Sequence, residues 1–257
     1  MAKTIAFVRS PGPSFNEAIS SNLKNQPIDI KRACLQHESY ISALKEIGLD
    51  VISLPSADEY PDAPFVEDTT VVFDHIALAC PNKEKSRRGE GPSIHKEIKK
   101  HITMKALPPS ANLDGGDVLN TEEKIFVGIS SRTNLEAVNS LAKFTTKPVI
   151  PVKVIRGLHL KTSVSYIGNN IIVLDPSSIE TTSLRTFKWI ETNGHAANCL
   201  AIGNIVLISK GCTEEADKIR LKGFKTREVD ISEFEKADGG LTCLSIILKK
   251  KITLRNN

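Results

Sequence analysis

The chain has 257 residues, 40% of them hydrophobic and 25% charged, with a formal net charge of +4. That balance suits a globular domain with a sizeable buried core and excludes a disordered or fibrous chain. The positive excess is mild and the lysines of Lys96–Lys100 are not interleaved with aromatics, which make up 5%, so nucleic acid is not an expected partner.

Thr4–Arg9 reads as a short buried strand, and Ser10-Pro11-Gly12-Pro13-Ser14 as a loop kept irregular by its prolines and glycine. Asp29–Ile47 has helical periodicity, with Ala33, Gln36, His37, Tyr40, Leu44 and Ile47 near one face and Gly48 as its stop. Val51–Leu54 is a strand and Pro55–Pro64 a loop rich in proline and acid. Val66–Val72 and Phe73–Cys80 read as strands joined around Asp74-His75, Pro81–Pro92 as a charged loop, and Ser93–Met104 as a basic helix. A strand over Lys124–Gly128 precedes a helix over Thr133–Ala142, capped by Thr133 or Asn134. Val149–Val154, Ser163–Ile167 and Ile171–Leu174 are strands, and Ile179–Thr192 is predicted helical. Cys199–Ile202 and Ile205–Ser209 form a hairpin around Gly203-Asn204. Glu214–Lys222 is a helix, Arg227–Val229 a strand, Ile231–Lys236 a short helix and Thr242–Lys249 the last strand.

Two strands, a helix and a further strand thus recur about five times, in units of roughly 50 residues without a literal repeat. Such a series suggests a propeller-like closed array with no internal boundary, so that residues 1–257 form a single α/β domain. An open α/β sheet is the alternative.

Five cysteines, Cys34, Cys80, Cys199, Cys212 and Cys243, are odd in number and widely spaced, with no C-x-x-C. A disulfide framework or zinc ribbon is therefore not expected. The N-terminus reads as a short strand and a Pro-Gly-Pro turn rather than an apolar leader, and no apolar run reaches membrane-spanning length. The expected compartment is the reducing cytoplasm, where a free thiol can work.

Residues able to carry chemistry are spread along the chain. In Asp238-Gly239-Gly240-Leu241-Thr242-Cys243 a thiol follows a glycine pair at the mouth of an apolar strand, as a nucleophile or as a small buried residue. Glu67-Asp68 lies in apolar sequence, where carboxylates need a cation or hydrogen-bond donors, while Asp62 sits in a loop of solvated character. Leu113-Asp114-Gly115-Gly116-Asp117 is either a turn or a site whose glycines let backbone approach closely. His159, between Leu158 and Leu160, is a satisfied core histidine or a general acid/base needing an orienting carboxylate, for which Asp114 is a candidate. Arg87 and Arg132 fall between predicted elements, as carboxylate clamps or as surface charges.

The order of these motifs resembles the dimethylarginine dimethylaminohydrolase family. The run is Phe65-Val66-Glu67-Asp68, Ser86-Arg87-Arg88, Leu113 to Leu119, Phe126 to Asn134, Gly157-Leu158-His159-Leu160-Lys161 and Leu241-Thr242-Cys243. That family belongs to the guanidino-group-modifying superfamily, with arginine deiminases and amidinotransferases. The resemblance spans nearly the whole chain and implies a five-bladed α/β propeller of pseudo-fivefold ββαβ units. It implies Cys243 as nucleophile, His159 as general acid/base and Asp114 as its orienting carboxylate. Glu67 and Asp68 match positions that hold the guanidinium; Asp62, Arg87 and Arg132 match positions that bind the amino-acid end. Ala237 and Asp238 match substrate contacts before the nucleophile, and Ser10–Ile19 a mobile lid with Ile19 as its apolar contact. The chain departs from the pattern at Ala237, where valine is frequent, and in the lid sequence.

The implied activity is hydrolysis of a methylated L-arginine to L-citrulline and an amine through a covalent thiouronium, with no metal or organic cofactor. The implied partner is a small guanidino substrate, with a homodimer left open. Within the same superfamily the alternative is an arginine deiminase or a hydrolase of another guanidino or ureido compound. Outside it, the alternative is a non-catalytic propeller that binds a partner.

Overall fold

A computed structural model describes residues 4–20, 27–73 and 75–249; Met1–Lys3 and Asp74 of the expected turn lie outside them. β1 (Thr4–Arg9) is followed by α1 (Ile30–Glu46) and β2 (Asp50–Leu54), which runs parallel to β1. Asp29 caps α1 by accepting from the Arg32 N–H, and Gly48, at φ 101°, takes the left-handed turn that ends it.

The next unit pairs β3 (Thr70–Phe73) with β4 (Ile76–Ala79) antiparallel, and α2 (Gly91–Ile98) carries the chain to β5 (Thr103–Ala106), parallel to β4. The plan repeats with β6 (Val118–Asn120), β7 (Ile125–Ile129), α3 (Leu135–Leu141) and β8 (Val149–Lys153). A short α4 (Leu160–Ser163) leads into β9 (Val164–Gly168), β10 (Ile171–Leu174) and β11 (Lys188–Glu191). β12 (Leu200–Ile202), β13 (Ile205–Ser209), α5 (Thr213–Leu221) and β14 (Lys225–Val229) form the fifth sheet. After α6 (Ser232–Glu235), β15 (Ile246–Lys249) returns to pair antiparallel with β1. The last strand therefore completes the first sheet and closes the ring.

The described residues thus form five three-stranded sheets, each with an antiparallel first pair and a parallel second pair. The first strands lie innermost: β15 contacts β3, β6 contacts β9, and β9 contacts β12. A cavity of about 200 Å³ follows the axis and is walled by residues from all five, including Val71, Leu119, Tyr166, Leu200 and Ile247. The apolar core is likewise divided into five clusters, each lying between consecutive units. Phe7, Val66, Ile94, Ile98 and Leu248, for example, join the first unit to the second. Leu119, Phe126, Leu160 and Ile172 join the third to the fourth, and Val8, Tyr40, Leu44, Leu207 and Val229 join the fifth back to the first.

Four predicted elements change. Ile179–Thr192 is not a helix: a 3₁₀ turn at Thr182–Leu184 precedes β11, whose parallel pairing satisfies the open edge of β10. Ser93–Met104 is split, because α2 ends at Ile98 and Met104 pairs with Ala77 in the sheet. Val66–Thr69 and Thr242–Leu244 are 3₁₀ turns rather than strand, each running directly toward an innermost strand.

The interunit packing predicts where stability resides. Leu248→Ala, at a site 3% exposed, is expected to cost about 2–5 kcal/mol in urea unfolding, whereas Leu221→Ala, at a site 85% exposed, should fall within about 0.5 kcal/mol.

Candidate active site

The chemistry collects where the chain enters each innermost strand. Glu67 and Asp68 precede β3, Asp114 precedes β6, His159 precedes β9 and Cys243 precedes β15. The ring thereby delivers to one end of its axis residues far apart in sequence.

His159 is buried, and its Nε2 donates to Asp114 Oδ2 at 3.0 Å. Its other nitrogen, Nδ1, lies 3.9 Å from Asp68 Oδ1. Burial pushes the imidazole pKa down, but the Asp68 charge, the Asp114 hydrogen bond and Asp117 outweigh it and raise the pKa to about 9. Asp114 is itself fixed: its Oδ1 accepts from Asn82 Nδ2 at 2.8 Å, and the same amide donates to the Asp68 carbonyl at 2.9 Å. Asp117 holds the histidine turn from below, accepting from the Leu160 N–H at 2.8 Å and from Ser130 Oγ at 2.7 Å.

Asp68 is gripped by Arg87 Nη1 at 2.6 Å and by the Gly116 N–H at 2.9 Å. Burial raises its pKa, but His159 and Arg87 dominate and hold it well below the usual carboxylate range. Arg87 differs from the carboxylate clamp expected of it. It is buried, forks onto Glu90 through Nε and Nη2 at 2.9 and 2.8 Å, and donates to the Phe65 carbonyl at 3.1 Å. With Asp68 also bound, little donor capacity remains for a ligand. Burial lifts Glu90 to about 7, against the pull of Arg87.

Glu67 is also committed within the protein. Its Oε1 meets Lys161 Nζ at 2.5 Å and its Oε2 accepts from Thr242 Oγ1 at 2.8 Å. Asp68 is therefore the member of the pair nearer the imidazole.

Cys243 sits in the Thr242–Leu244 turn, which packs against the Val66–Thr69 turn. The Gly240 N–H donates to its Sγ at 3.4 Å. Burial, then the charges of Glu67 and Asp68, push the thiol up to about 12. The resting pair is thus a neutral thiol and a cationic imidazole.

The glycines of both motifs serve close packing, and none of the four has positive φ. A Cβ on Gly116 would lie 2.8 Å from both Asp68 Oδ1 and His159 Nδ1, and one on Gly115 would lie 2.1 Å from the Glu67 carbonyl. On Gly239 it would strike the Phe65 ring at 2.3 Å, and on Gly240 it would strike Asn198 at the same distance.

Arg132 is buried, its Nη1 lies 3.7 Å from Asp114 Oδ2, and that nitrogen makes no hydrogen bond. Asp62 is buried and accepts from the Ile19 N–H at 3.2 Å; burial raises its pKa against Arg87 and that N–H. The Ile19 side chain itself is exposed. The Ser10–Ile19 loop is anchored instead by Phe15, which is fully buried with ring centroids 5.7 Å from Phe65 and 5.1 Å from Phe234. Ala237 is buried, and Asp238 holds a left-handed φ of 56°. A cavity of about 510 Å³ lies between Gly157-Leu158 and Asp238-Gly239-Gly240, the segments that precede His159 and Cys243.

Asp68, Asp114 and His159 each offer a ligand atom within 4.8 Å of the others, a spacing that a divalent ion can bridge. Metal ligation would require the imidazole to give up the proton that Asp68, Asp114 and Asp117 favour on it.

Lys161, Thr242, Asn82, Glu90 and Asn198 were not singled out from the sequence as functional. Their side chains act through loop partners that no local pattern marks. Only the placement of Lys161 and Thr242 close to His159 and Cys243 in the sequence was a signal.

Comparison with known proteins gives this arrangement its class. A protein 29% identical over 248 residues, covering 93% of this chain and 97% of its own, is the N(G),N(G)-dimethylarginine dimethylaminohydrolase of Pseudomonas aeruginosa. The enzyme of the same name from Streptomyces coelicolor is 30% identical over 251 residues, covering 95% and 97%. A solved structure from P. aeruginosa, a cysteine-to-serine mutant complexed with citrulline, superposes with a TM-score of 0.90 at 26% identity, covering 96% of this chain and all of that one. Fold and relatives together define a hydrolase of the guanidino-group-modifying superfamily. A family model described as N,N dimethylarginine dimethylhydrolase, eukaryotic, matches residues 5–247, and the chain belongs to that family.

The electrostatics of the site predict that His159 titrates near pH 9 by NMR, and that Asp114→Asn lowers this value by removing a partner of the cation. An imidazole titrating at 6.5 or below in the native protein would contradict the arrangement.

Proposed function

We propose that this chain hydrolyses N-methylated L-arginine to L-citrulline and methylamine or dimethylamine, with Cys243 as nucleophile. The observation that carries the reading is the convergence of Cys243, His159 with Asp114, and Asp68 at one end of the ring, in a chain of this family. Asp68 binds the guanidinium, and Arg87 holds Asp68 in place. The charged substrate lowers the thiol pKa, and the proton leaves for solvent. The thiolate attacks the guanidino carbon, forming a C–S bond. His159 donates the Nδ1 proton to the departing amine as its C–N bond breaks, leaving a thiouronium. The neutral imidazole then takes a proton from water, whose oxygen attacks the same carbon. Collapse breaks the C–S bond and expels the thiolate while the added hydroxyl gives its proton to solvent, leaving the ureido group of citrulline.

Arg132 Nη1, a buried donor without a hydrogen bond, suits the substrate carboxylate. Asp62 suits the α-ammonium, with the Ile19 backbone closing behind it. The Ala237 and Asp238 backbone flanks the substrate on the nucleophile side. This binding aligns the reacting carbon, so truncated guanidines should lose kcat as well as affinity.

The decisive experiment incubates the protein separately with arginine, monomethylarginine and asymmetric dimethylarginine and measures citrulline. The methylated substrates should turn over, and Cys243→Ser should lower kcat at least about a thousandfold. Activity on arginine alone would overturn the methylarginine reading, and near-normal turnover by Cys243→Ser would overturn the mechanism.

The pH profile has a definite sign. The reactive form needs Cys243 deprotonated, with pKa about 12, and His159 protonated, with pKa about 9. Below pH 9 the thiolate fraction rises with pH while the imidazole stays charged, so kcat/KM should climb toward pH 9 and then level. The bound cation lowers the thiol pKa, so the rising limb of kcat should lie at lower pH than that of kcat/KM.

A further inference from the structure

Four of the five units contribute catalytic groups at the entry to their innermost strands, and the fifth contributes Asn198, two residues before β12. Asn198 is buried and closes a 3₁₀ turn at Gly194–Ala197. Its Oδ1 accepts from the Thr242 N–H at 3.0 Å. Its Nδ2 donates to the Lys161 carbonyl at 3.0 Å and to Thr242 Oγ1 at 3.2 Å. The amide's orientation is forced: the Thr242 N–H can only donate and the Lys161 carbonyl can only accept. Gly240 leaves the room for it, since a Cβ there would lie 2.3 Å from Asn198 Cγ.

These bonds close a circuit. Asn198 holds Lys161 and Thr242, and both of these donate to Glu67. Thr242 adjoins Cys243, Lys161 lies two residues after His159, and Glu67 adjoins Asp68. One amide therefore ties together the turns that carry nucleophile, acid/base and guanidinium carboxylate. It also sets polarity: by donating to Thr242 Oγ1, it directs the threonine hydroxyl proton toward Glu67.

We propose that Asn198 is a positioning residue for the reaction, fixing Cys243 against His159 and orienting the Thr242 hydroxyl onto Glu67. The proposal rests on the hydrolase reading above. Asn198→Ala leaves the buried Thr242 N–H unpaired, and kcat should fall about 10- to 100-fold with KM within about threefold. Asn198→Asp is the sharper probe. An ionised carboxylate accepts the threonine proton, withdraws it from Glu67 and meets the Lys161 carbonyl with no donor. Activity should then fall further than in Asn198→Ala at pH 8, and its ratio to the native rate should rise as the pH is lowered to 5.5, because protonation restores a donor.

The test measures kcat and KM of all three proteins on dimethylarginine from pH 5.5 to 9, with thermal unfolding as the folding control. A folded Asn198→Ala with kcat within about threefold of native, or an Asn198→Asp ratio flat with pH, overturns the proposal. If neither variant folds, Thr242→Ser should keep kcat within about threefold and Thr242→Val should fall about 10- to 100-fold; equal rates overturn it. A substrate-free arm follows iodoacetamide alkylation of Cys243 by peptide mass. Releasing the turn in Asn198→Ala should expose the thiol and move the alkylation curve to lower pH, and an unchanged curve overturns the proposal. If the native protein releases no citrulline, the reading of the reaction fails, while this arm still decides the role of Asn198.

Discussion

The buried carboxylate of Asp68 is the constraint around which this end of the ring is arranged. A lone carboxylate removed from water is costly, and the chain meets the cost with a buried guanidinium, a backbone N–H and a nearby imidazolium. Arg87 can serve only because Glu90 takes the other edge of its fork. The Gly116 N–H can serve only because no side chain stands between Asp68 and His159. Loss of one partner would therefore leave a buried charge uncompensated, which is far worse than never having built the network.

Burial is the first reason the thiol rests protonated, and the charges of Glu67 and then Asp68 add to it. Moving Cys243 from 9.0 to about 12 opposes ionisation by on the order of 4 kcal/mol. A guanidinium about 4 Å away contributes on the order of 4 kcal/mol in the opposite sense at an effective dielectric near 20. The two are comparable, so the charge of a bound guanidinium can offset the thiol's resistance to ionisation. A thiol kept neutral until the correct cation arrives is also protected from adventitious oxidation, since the thiolate is the reactive form.

The sequence was informative wherever local chemistry dictates local structure. The cap at Asn134, the stop at Gly48 and the Gly203-Asn204 hairpin appear in the structure where composition places them. The fivefold recurrence was legible because each unit repeats one hydrophobic rhythm. Ile179–Thr192 misled because Leu184, Phe187 and Ile190 keep a near-helical spacing. Partner strand β10, not periodicity, decides the outcome there. At the site, charged residues and the thiol announced themselves, since such groups are expensive to bury without purpose. Neutral residues did not: Asn82, Asn198 and Thr242 resemble ordinary loop residues until the fold supplies their partners. Arg87 was visible as a chemical group but not in its occupation, because only the tertiary structure sets Glu90 and Asp68 on either side of it.

Why a closed ring should carry this chemistry follows from the separations involved. Cys243 is 84 positions from His159 (243 − 159) and 176 from Glu67 (243 − 67), so no local segment could present them together. Ordering such distant segments costs conformational entropy that the site's own hydrogen bonds cannot offset. The interunit clusters offset it instead, and β15 locks the result by pairing with β1 directly after the Cys243 turn. Because every unit ends its approach at the axis, each small turn needs only to aim one or two side chains. The fifth position is then best filled by a neutral residue. Glu67 already has its cation in Lys161, so a further charge beside Thr242 would disturb a pairing that is already complete. An amide, which both donates and accepts, can bind the Cys243 turn to the His159 turn without disturbing that balance.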